Sequence, residues 1–395
     1  MLPVISRIVE QVDRRWAEAG QRLDGFPELA AQALEDHEPP DLTELAEALS
    51  RGLTLPRQRR LDQSFGQPAL TLHHGERFVV EALCWHTGSP AIHQHSFCGA
   101  FRVMTGRSVH GRYRFTERER VAPGVAVGDL ELVATEVLDR TSVTRIPAGA
   151  SLIHSAFHLD NPSMTVIVRT HDSGDPEYTY LPPGVAYEPA ARSETLHKRL
   201  QLLDTLNAAG HPSYGECVEL ALHTTDVYEG MEVLLRVHNH GLPPTVLDDV
   251  TGRYVQRHGP SVRPLVDAVR EQQRRSQLLA LRATVRDPDV RYVLACLLNA
   301  FDRASFAGQL GIGSLGADAA DAMAACLRQV LGMTVDAEPV LGVASMAMLE
   351  GLGADAFRGW VAEQAGAALG EEQGELLENL YRQLRDNPLL TPLRT

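Results

Sequence analysis

Cysteine is scarce in this sequence and arranged without a scaffold. Cys84, Cys98, Cys217, Cys296 and Cys326 are odd in number, widely spaced and contain no CxxC pair. Such a set fits buried thiols in a reducing cytoplasm better than a disulfide framework or a thiolate zinc site. Positive charge is also in short supply. The formal net charge is −14, and the densest basic tract, Arg57-Gln58-Arg59-Arg60, is short enough to be a solvated linker. A nucleic-acid or anionic-membrane surface needs a basic patch, so neither partner is expected. No uncharged apolar run reaches the roughly 18 residues of a membrane span. Arg7 and Glu10 interrupt the N-terminus, where a signal peptide would need an apolar core. Internal repeats and low-complexity tracts are absent. What remains is an ordinary soluble composition, 44% apolar and 22% charged, over 395 residues, enough for two or three domains.

The chain changes texture twice. Val4, Ile5, Ile8, Val9, Val12 and Trp16 form one helical stripe, and short helices are expected near 27–36 and 41–51, the second capped by Asp41. From about residue 68 to 188 come short β-rich runs, among them Ala69–His73, Arg77–Trp85, Ala100–Met104, Ser108–Phe115, Leu130–Leu138, Ser151–His154 and Thr165–His171. Turn signals separate them, including Pro123-Gly124, Gly128-Asp129 and Asn161-Pro162, and Pro182-Pro183 closes the block. Many short strands at near-regular spacing predict a sandwich or barrel. Helical spacing then returns over 192–209, 214–240, 262–285, 288–301, 317–332, 339–350, 354–369 and 372–386. The predicted domains are a helical lead (1–60), a barrel (61–190) and an α-helical domain (191–395).

The chemistry concentrates in Ile92-His93-Gln94-His95 and in Ser151-Leu152-Ile153-His154. Two histidines one residue apart on a strand face the same side, and a third from a later strand could close a triangle. Three neutral imidazoles with open positions opposite suit a divalent transition metal, and three histidines accept Fe, Zn, Ni, Cu or Mn.

These residues carry a family resemblance. Gly75-Glu76-Arg77-Phe78 through Leu83-Cys84-Trp85, the HxH pair, Gly106, and later His154 with Thr165–His171 resemble the cupin superfamily, and within it the cysteine dioxygenase-like (thiol dioxygenase) branch. The match covers about a third of the chain. It implies a double-sheet jelly-roll barrel and a mononuclear non-haem Fe(II) held by His93, His95 and His154. General cupins add a glutamate ligand a few residues after the second histidine, but 96–105 contain no acidic residue, as in the thiol dioxygenase branch. Gly99 stands where animal members carry a cross-linked cysteine, and Cys98 should point to the other face. Counting on from His154 puts Arg169 and His171 at the family's histidine and tyrosine positions near the metal, sharing a face with Ile167. The family's carboxylate-binding arginine falls near Pro68, which cannot serve. Arg169 is therefore a candidate anchor for an anion, and His171 a candidate acid/base.

Plainer readings compete. His158 is a rival ligand to His154, and Trp85 reads as packing. His238-Asn239-His240 sits at a helix end, where histidines face solvent or the helix dipole, and His73-His74 flanks a turn. Gly311-Ile312-Gly313-Ser314-Leu315-Gly316 matches a dinucleotide fingerprint but lacks the buried strand before it, and Phe301–Leu310 reads as a helix–helix loop. The expected fold class is thus α+β, a cupin barrel flanked by a helical lead and an all-α C-terminal domain. The expected function is a cytoplasmic Fe(II) oxygenase using O2 on a small thiol or amino-acid-like substrate. The alternatives are a cupin metalloenzyme of another class, such as an isomerase or lyase, and a ligand-sensing cupin. The C-terminal helices could serve dimerisation, a lid over the barrel mouth or a partner surface.

Overall fold

The computed structural model describes residues 2–58, 66–86, 91–312, 319–332, 338–365 and 370–394. It divides into two compact units, one of residues 1–134 and 138–273, the other of 135–137 and 274–395.

The first unit begins with α1 (Pro3–Glu18), α2 (Phe26–Asp36) and α3 (Leu42–Ser50). Ile5, Ile8, Val9, Val12 and Trp16 of α1 are all buried, as their spacing requires of an amphipathic helix. Asp41 caps α3 in a reciprocal capping box with Glu44, both hydrogen bonds being 2.9 Å.

Eleven strands follow: β1 (Ala69–His74), β2 (Phe78–Trp85), β3 (Ile92–His95), β4 (Gly99–Thr105), β5 (Ser108–Ala122), β6 (Val125–Leu138), β7 (Val143–Ile146), β8 (Gly149–His158), β9 (Ser163–Thr170), β10 (Thr179–Leu181) and β11 (Val185–Tyr187). One sheet has the order β1-β2-β9-β4-β7, and the others close in the order β10-β11-β6-β5-β8-β3. This is the double-sheet, cupin-type barrel that the resemblance implies. Every residue of β2 is buried, because the strand is covered on both faces. Phe78, Val80, Ala82 and Cys84 pack with α1 and α2, together with Met164, Val166 and Val168 of β9. The alternate residues Glu81, Leu83 and Trp85, with Thr165, Ile167 and Arg169, face a cavity between the sheets. Cys98 lies in the helix-covered core, on the face expected of it.

Three local expectations are corrected. Gly128 does not turn the chain: β5 and β6 are long arms joined at Pro123-Gly124, and Gly128 lies within β6. A Cβ there would collide with the Thr116 carbonyl oxygen, and its N–H donates to the Gly184 oxygen at 2.9 Å, so glycine serves close approach. Pro182-Pro183 does not end the barrel, since β10 and β11 form a hairpin across it. In the helical part, 214–240 is two helices, α4 (Glu194–Ala208) being followed by α5 (Tyr214–Thr224) and α6 (Val227–His238), with Asp226 capping α6. Next come α7 (Pro244–His258), a helix not expected from the sequence, and α8 (Arg263–Thr284). Leu196, Leu200, Val218, Met231, Leu234 and Tyr254 share one core with Val125, Val127, Leu181 and Val185 of the barrel. The boundary between the two compact units falls within α8, after Gln273.

The second unit contains α9 (Pro288–Asn299), α10 (Arg303–Ile312), α11 (Ala319–Leu331), α12 (Glu338–Glu350), α13 (Ala354–Ala365) and α14 (Glu371–Asp386). Residues 303–312, expected to be loop, are helical because Asp302 accepts the Ser305 N–H at 2.7 Å and starts the first turn. Gly311 and Ile312 close α10, and the rest of the glycine tract lies outside the described residues. Phe357 and Tyr381 stack at 4.0 Å between α13 and α14. Among the described residues no single helix is long and apolar enough to cross a membrane.

Candidate metal centre

β3 and β8 run antiparallel with His93 directly opposite His154, and the register shifts between His93 and His95. The pleat therefore brings three imidazoles to one place. The Nε2 atoms of His93 and His95 are 3.1 Å apart, and those of His95 and His154 3.4 Å. Ring centroids lie 4.5–4.9 Å from one another. Among the described residues this is the only group of three or more potential ligands whose donor atoms all lie within 4.8 Å of each other.

The donor set fits a divalent ion. Imidazole nitrogens about 2.0–2.1 Å from a common ion, at angles between about 90° and 110°, stand about 2.8–3.4 Å apart. Tautomers agree with this. His93 Nδ1 lies 2.8 Å from the Ala91 carbonyl, which can only accept, so the proton sits on Nδ1 and Nε2 keeps a lone pair. His154 Nδ1 lies 2.6 Å from His110 Nε2, and donation in that direction leaves His154 Nε2 unprotonated as well. His95 and His154 are each 6% exposed, while His93 keeps a partly exposed edge. Burial pushes all three imidazoles below the usual histidine range, His95 and His154 far below it, and repulsion from neighbouring imidazoles adds to the effect. Neutral rings with converging lone pairs are a ligand set suited to a cation.

The cavity beside the histidines measures about 620 Å³. Its walls include Leu83, Trp85, Phe97, Phe101, Ile146 and Ile167. Arg169 faces it as the strand period requires. Its guanidinium is engaged, Nε donating to Glu81 Oε2 at 2.9 Å, Nη2 lying 2.8 Å from the same oxygen as an ion pair, and its carbon lying 4.8 Å over the Phe97 ring. His171 is not among the lining residues. β9 ends at Thr170, so the alternation cannot be extended one residue further, and the His171 ring instead hydrogen-bonds the Gly75 carbonyl at 3.0 Å. His158, the rival ligand, lies in the cavity wall outside the triad. Its Nδ1 is 2.8 Å from both Ser108 Oγ and Ser163 Oγ, and its ring stacks on Trp85 at 4.9 Å. Trp85 thus both packs and lines the cavity. Gly99 is obligatory for close approach: a Cβ would lie 2.9 Å from Arg169 Cα.

The second HxH is not solvated as expected. α5, α7 and α8 pack around the end of α6, so His238 is buried 3.3 Å from Thr251 Oγ1, and His240 lies between the Tyr214 hydroxyl at 2.6 Å and Asp204 at 3.0 Å. Sequence reading missed His110 and Glu81. His110 had no spacing signal, but Glu81 did: one carboxylate in an otherwise apolar strand requires a buried partner.

No protein-family model and no curated protein matches the chain. Solved structures with similarity include hydroquinone 1,2-dioxygenase from Sphingomonas sp. with 4-hydroxybenzoate bound (10% identity, 29% of this chain and 71% of that one, TM-score 0.22). A cupin superfamily protein from Desulfitobacterium hafniense shares 14% identity over 30% of this chain and 97% of that one, TM-score 0.19. The DMSP lyase of Ruegeria pomeroyi shares 12% over 45% and 96%, TM-score 0.24. Identities and scores this low transfer neither activity nor ligand.

Proposed function

We propose that the chain is a mononuclear non-haem iron oxygenase that uses O2 on a small thiol or amino-acid-like substrate held in the cavity. Fe(II) would be held by His93, His95 and His154. The observation that carries this reading is the convergence of three Nε2 atoms, 3.1 and 3.4 Å apart, from imidazoles that burial keeps neutral. When bound, ferrous iron supplies the redox chemistry with O2 that no side chain of this set can provide.

The remaining work belongs to the protein. His110 fixes the tautomer and plane of His154, and the Ala91 carbonyl does the same for His93. Phe97 packs against His95 at 4.6 Å and limits that ring's rotation. The apolar walls exclude water from the substrate and strengthen every polar contact inside. Arg169 and Glu81 place a fixed pair of charges on the β2–β9 wall.

The test is an oxygen electrode. Protein purified without a polyhistidine tag, loaded anaerobically with ferrous ion and offered a panel of small thiols, amines and amino acids, is expected to consume O2 with at least one of them. His154→Ala is expected to abolish that uptake. No iron-dependent uptake across the panel would overturn the proposal.

A further inference from the structure

We infer that the cavity selects a substrate carrying an ammonium group on an apolar body, with Glu81 as its polar anchor, in place of the anion that Arg169 alone would attract. This rests on the reading of the cavity as a substrate site and concerns which molecules enter it. Glu81 is 8% exposed and lies on the cavity-facing side of β2. Arg169 Nε donates to Oε2 and Nη2 lies 2.8 Å from that same oxygen, so that Oε1 has no donor among the described residues. A nearly buried carboxylate oxygen presented in this way accepts a hydrogen bond from whatever occupies the cavity, most favourably from a cation.

Arg169 cannot offer the matching service to a carboxylate. The Nε–Nη2 edge is already turned onto Glu81 Oε2, Nη1 points to the Thr170 carbonyl at 3.4 Å, and one face lies over Phe97. An incoming anion would have to displace Glu81 and leave a second negative charge beside it. The rest of the lining agrees in sign. Asp172, Asp175, Glu177 and Glu188 also border the cavity, so five carboxylates accompany one guanidinium among its described lining residues. The segment bearing three of them is fastened beside the metal histidines, by Ser173 Oγ on the Ser96 carbonyl at 2.8 Å and by Gln94 Nε2 on the Pro176 carbonyl at 2.7 Å. Such a mouth concentrates cations and repels anions. Trp85 and Phe101 offer flat apolar faces for the body of the molecule.

The experiment compares three probes of one shape, 2-phenylethylamine, 2-phenylethanol and 3-phenylpropanoate, by isothermal titration calorimetry against protein loaded with Zn(II). Metal content is measured on the same sample. The amine is expected to bind roughly tenfold or more tighter than either of the others, the advantage falling with added salt. Glu81→Gln is expected to remove most of that advantage. Because Arg169 depends on Glu81, a second variant, Asp175→Asn with Glu177→Gln, alters exposed residues only and is expected to narrow it several-fold. Tighter binding of the carboxylate, equal binding of the three, no binding of any up to millimolar concentration, or a preference unchanged in both variants would each overturn the inference. A sample that holds no metal overturns the proposed function instead, whatever the order of the probes.

Discussion

Replacing His110 by phenylalanine isolates the part of the metal centre that is not a ligand. His110 is fully buried on β5, and its Nε2 is the hydrogen-bond partner of His154 Nδ1 at 2.6 Å. The ring stands edge-on to His154 at 88° and 4.9 Å, a packing that phenylalanine reproduces without an acceptor. His154 would then keep a buried N–H with nowhere to donate, a penalty of about 1–3 kcal/mol. Its alternative is to move the proton to Nε2, which removes the lone pair the ion needs. Either way metal affinity falls, by about 10–100-fold as for other outer partners of ligating histidines, or about 1.4–2.7 kcal/mol. The assay is competition with a chromophoric chelator at pH 7.5, using Co(II) and then anaerobic Fe(II). His110→Gln, whose amide oxygen can accept the same hydrogen, is expected to recover most of the loss. Affinity of the phenylalanine variant within twofold of the wild type, or equal loss in both variants, would refute the assigned tautomer and with it the role of His110.

Other perturbations have equally definite outcomes. His171→Ala removes a half-buried bond to the Gly75 carbonyl; it is expected to lower stability by about 1 kcal/mol and to leave metal affinity unchanged, as read by urea titration and chelator competition. Trp16→Ala empties a site 4% exposed under the β1–β2–β9–β4 sheet and is expected to cost about 3–5 kcal/mol in the same urea titration. The metal-free protein should also depend on pH. The folded-state values of His93, His95 and His154 lie below the ordinary 6.5, so near neutrality folded and unfolded chains bind protons alike. As pH falls below 6.5 the unfolded chain takes up protons that the folded chain resists, and stability is lost, by at most about 1.4 kcal/mol per pH unit for each ring. Urea midpoints that stay level from pH 7 to 5, or fall no less steeply in His95→Leu, would contradict this.

The barrel and its triad were legible because both depend on short-range rules. Period two puts His93 and His95 on one face, and the α1 stripe from Ile5 to Trp16 follows helical spacing, so these residues sit where pattern alone places them. The misses come from context. His171 shares a face with Ile167 only if the alternation runs past Thr170, where the ladder stops. Arg169 shares the cavity side of β9 with Ile167 by the strand period, yet its partner Glu81 is 88 residues away on the neighbouring strand, and no local rule pairs them. Gly128 reads as a turn because glycine's two uses, positive φ and close approach, look alike in sequence. α7 was overlooked although Pro244 occupies a first-turn position that favours helix initiation.

The central claim is that three histidines of this chain hold one ion. Its most direct measurement is the metal-to-protein ratio of tag-free chain after anaerobic loading and desalting, for wild type and for His93→Ala, His95→Ala and His154→Ala. The account predicts about one ion per chain for the wild type and far less for each variant, with far-ultraviolet circular dichroism unchanged. A wild-type ratio near zero, or full occupancy retained in any of the three folded variants, would contradict it.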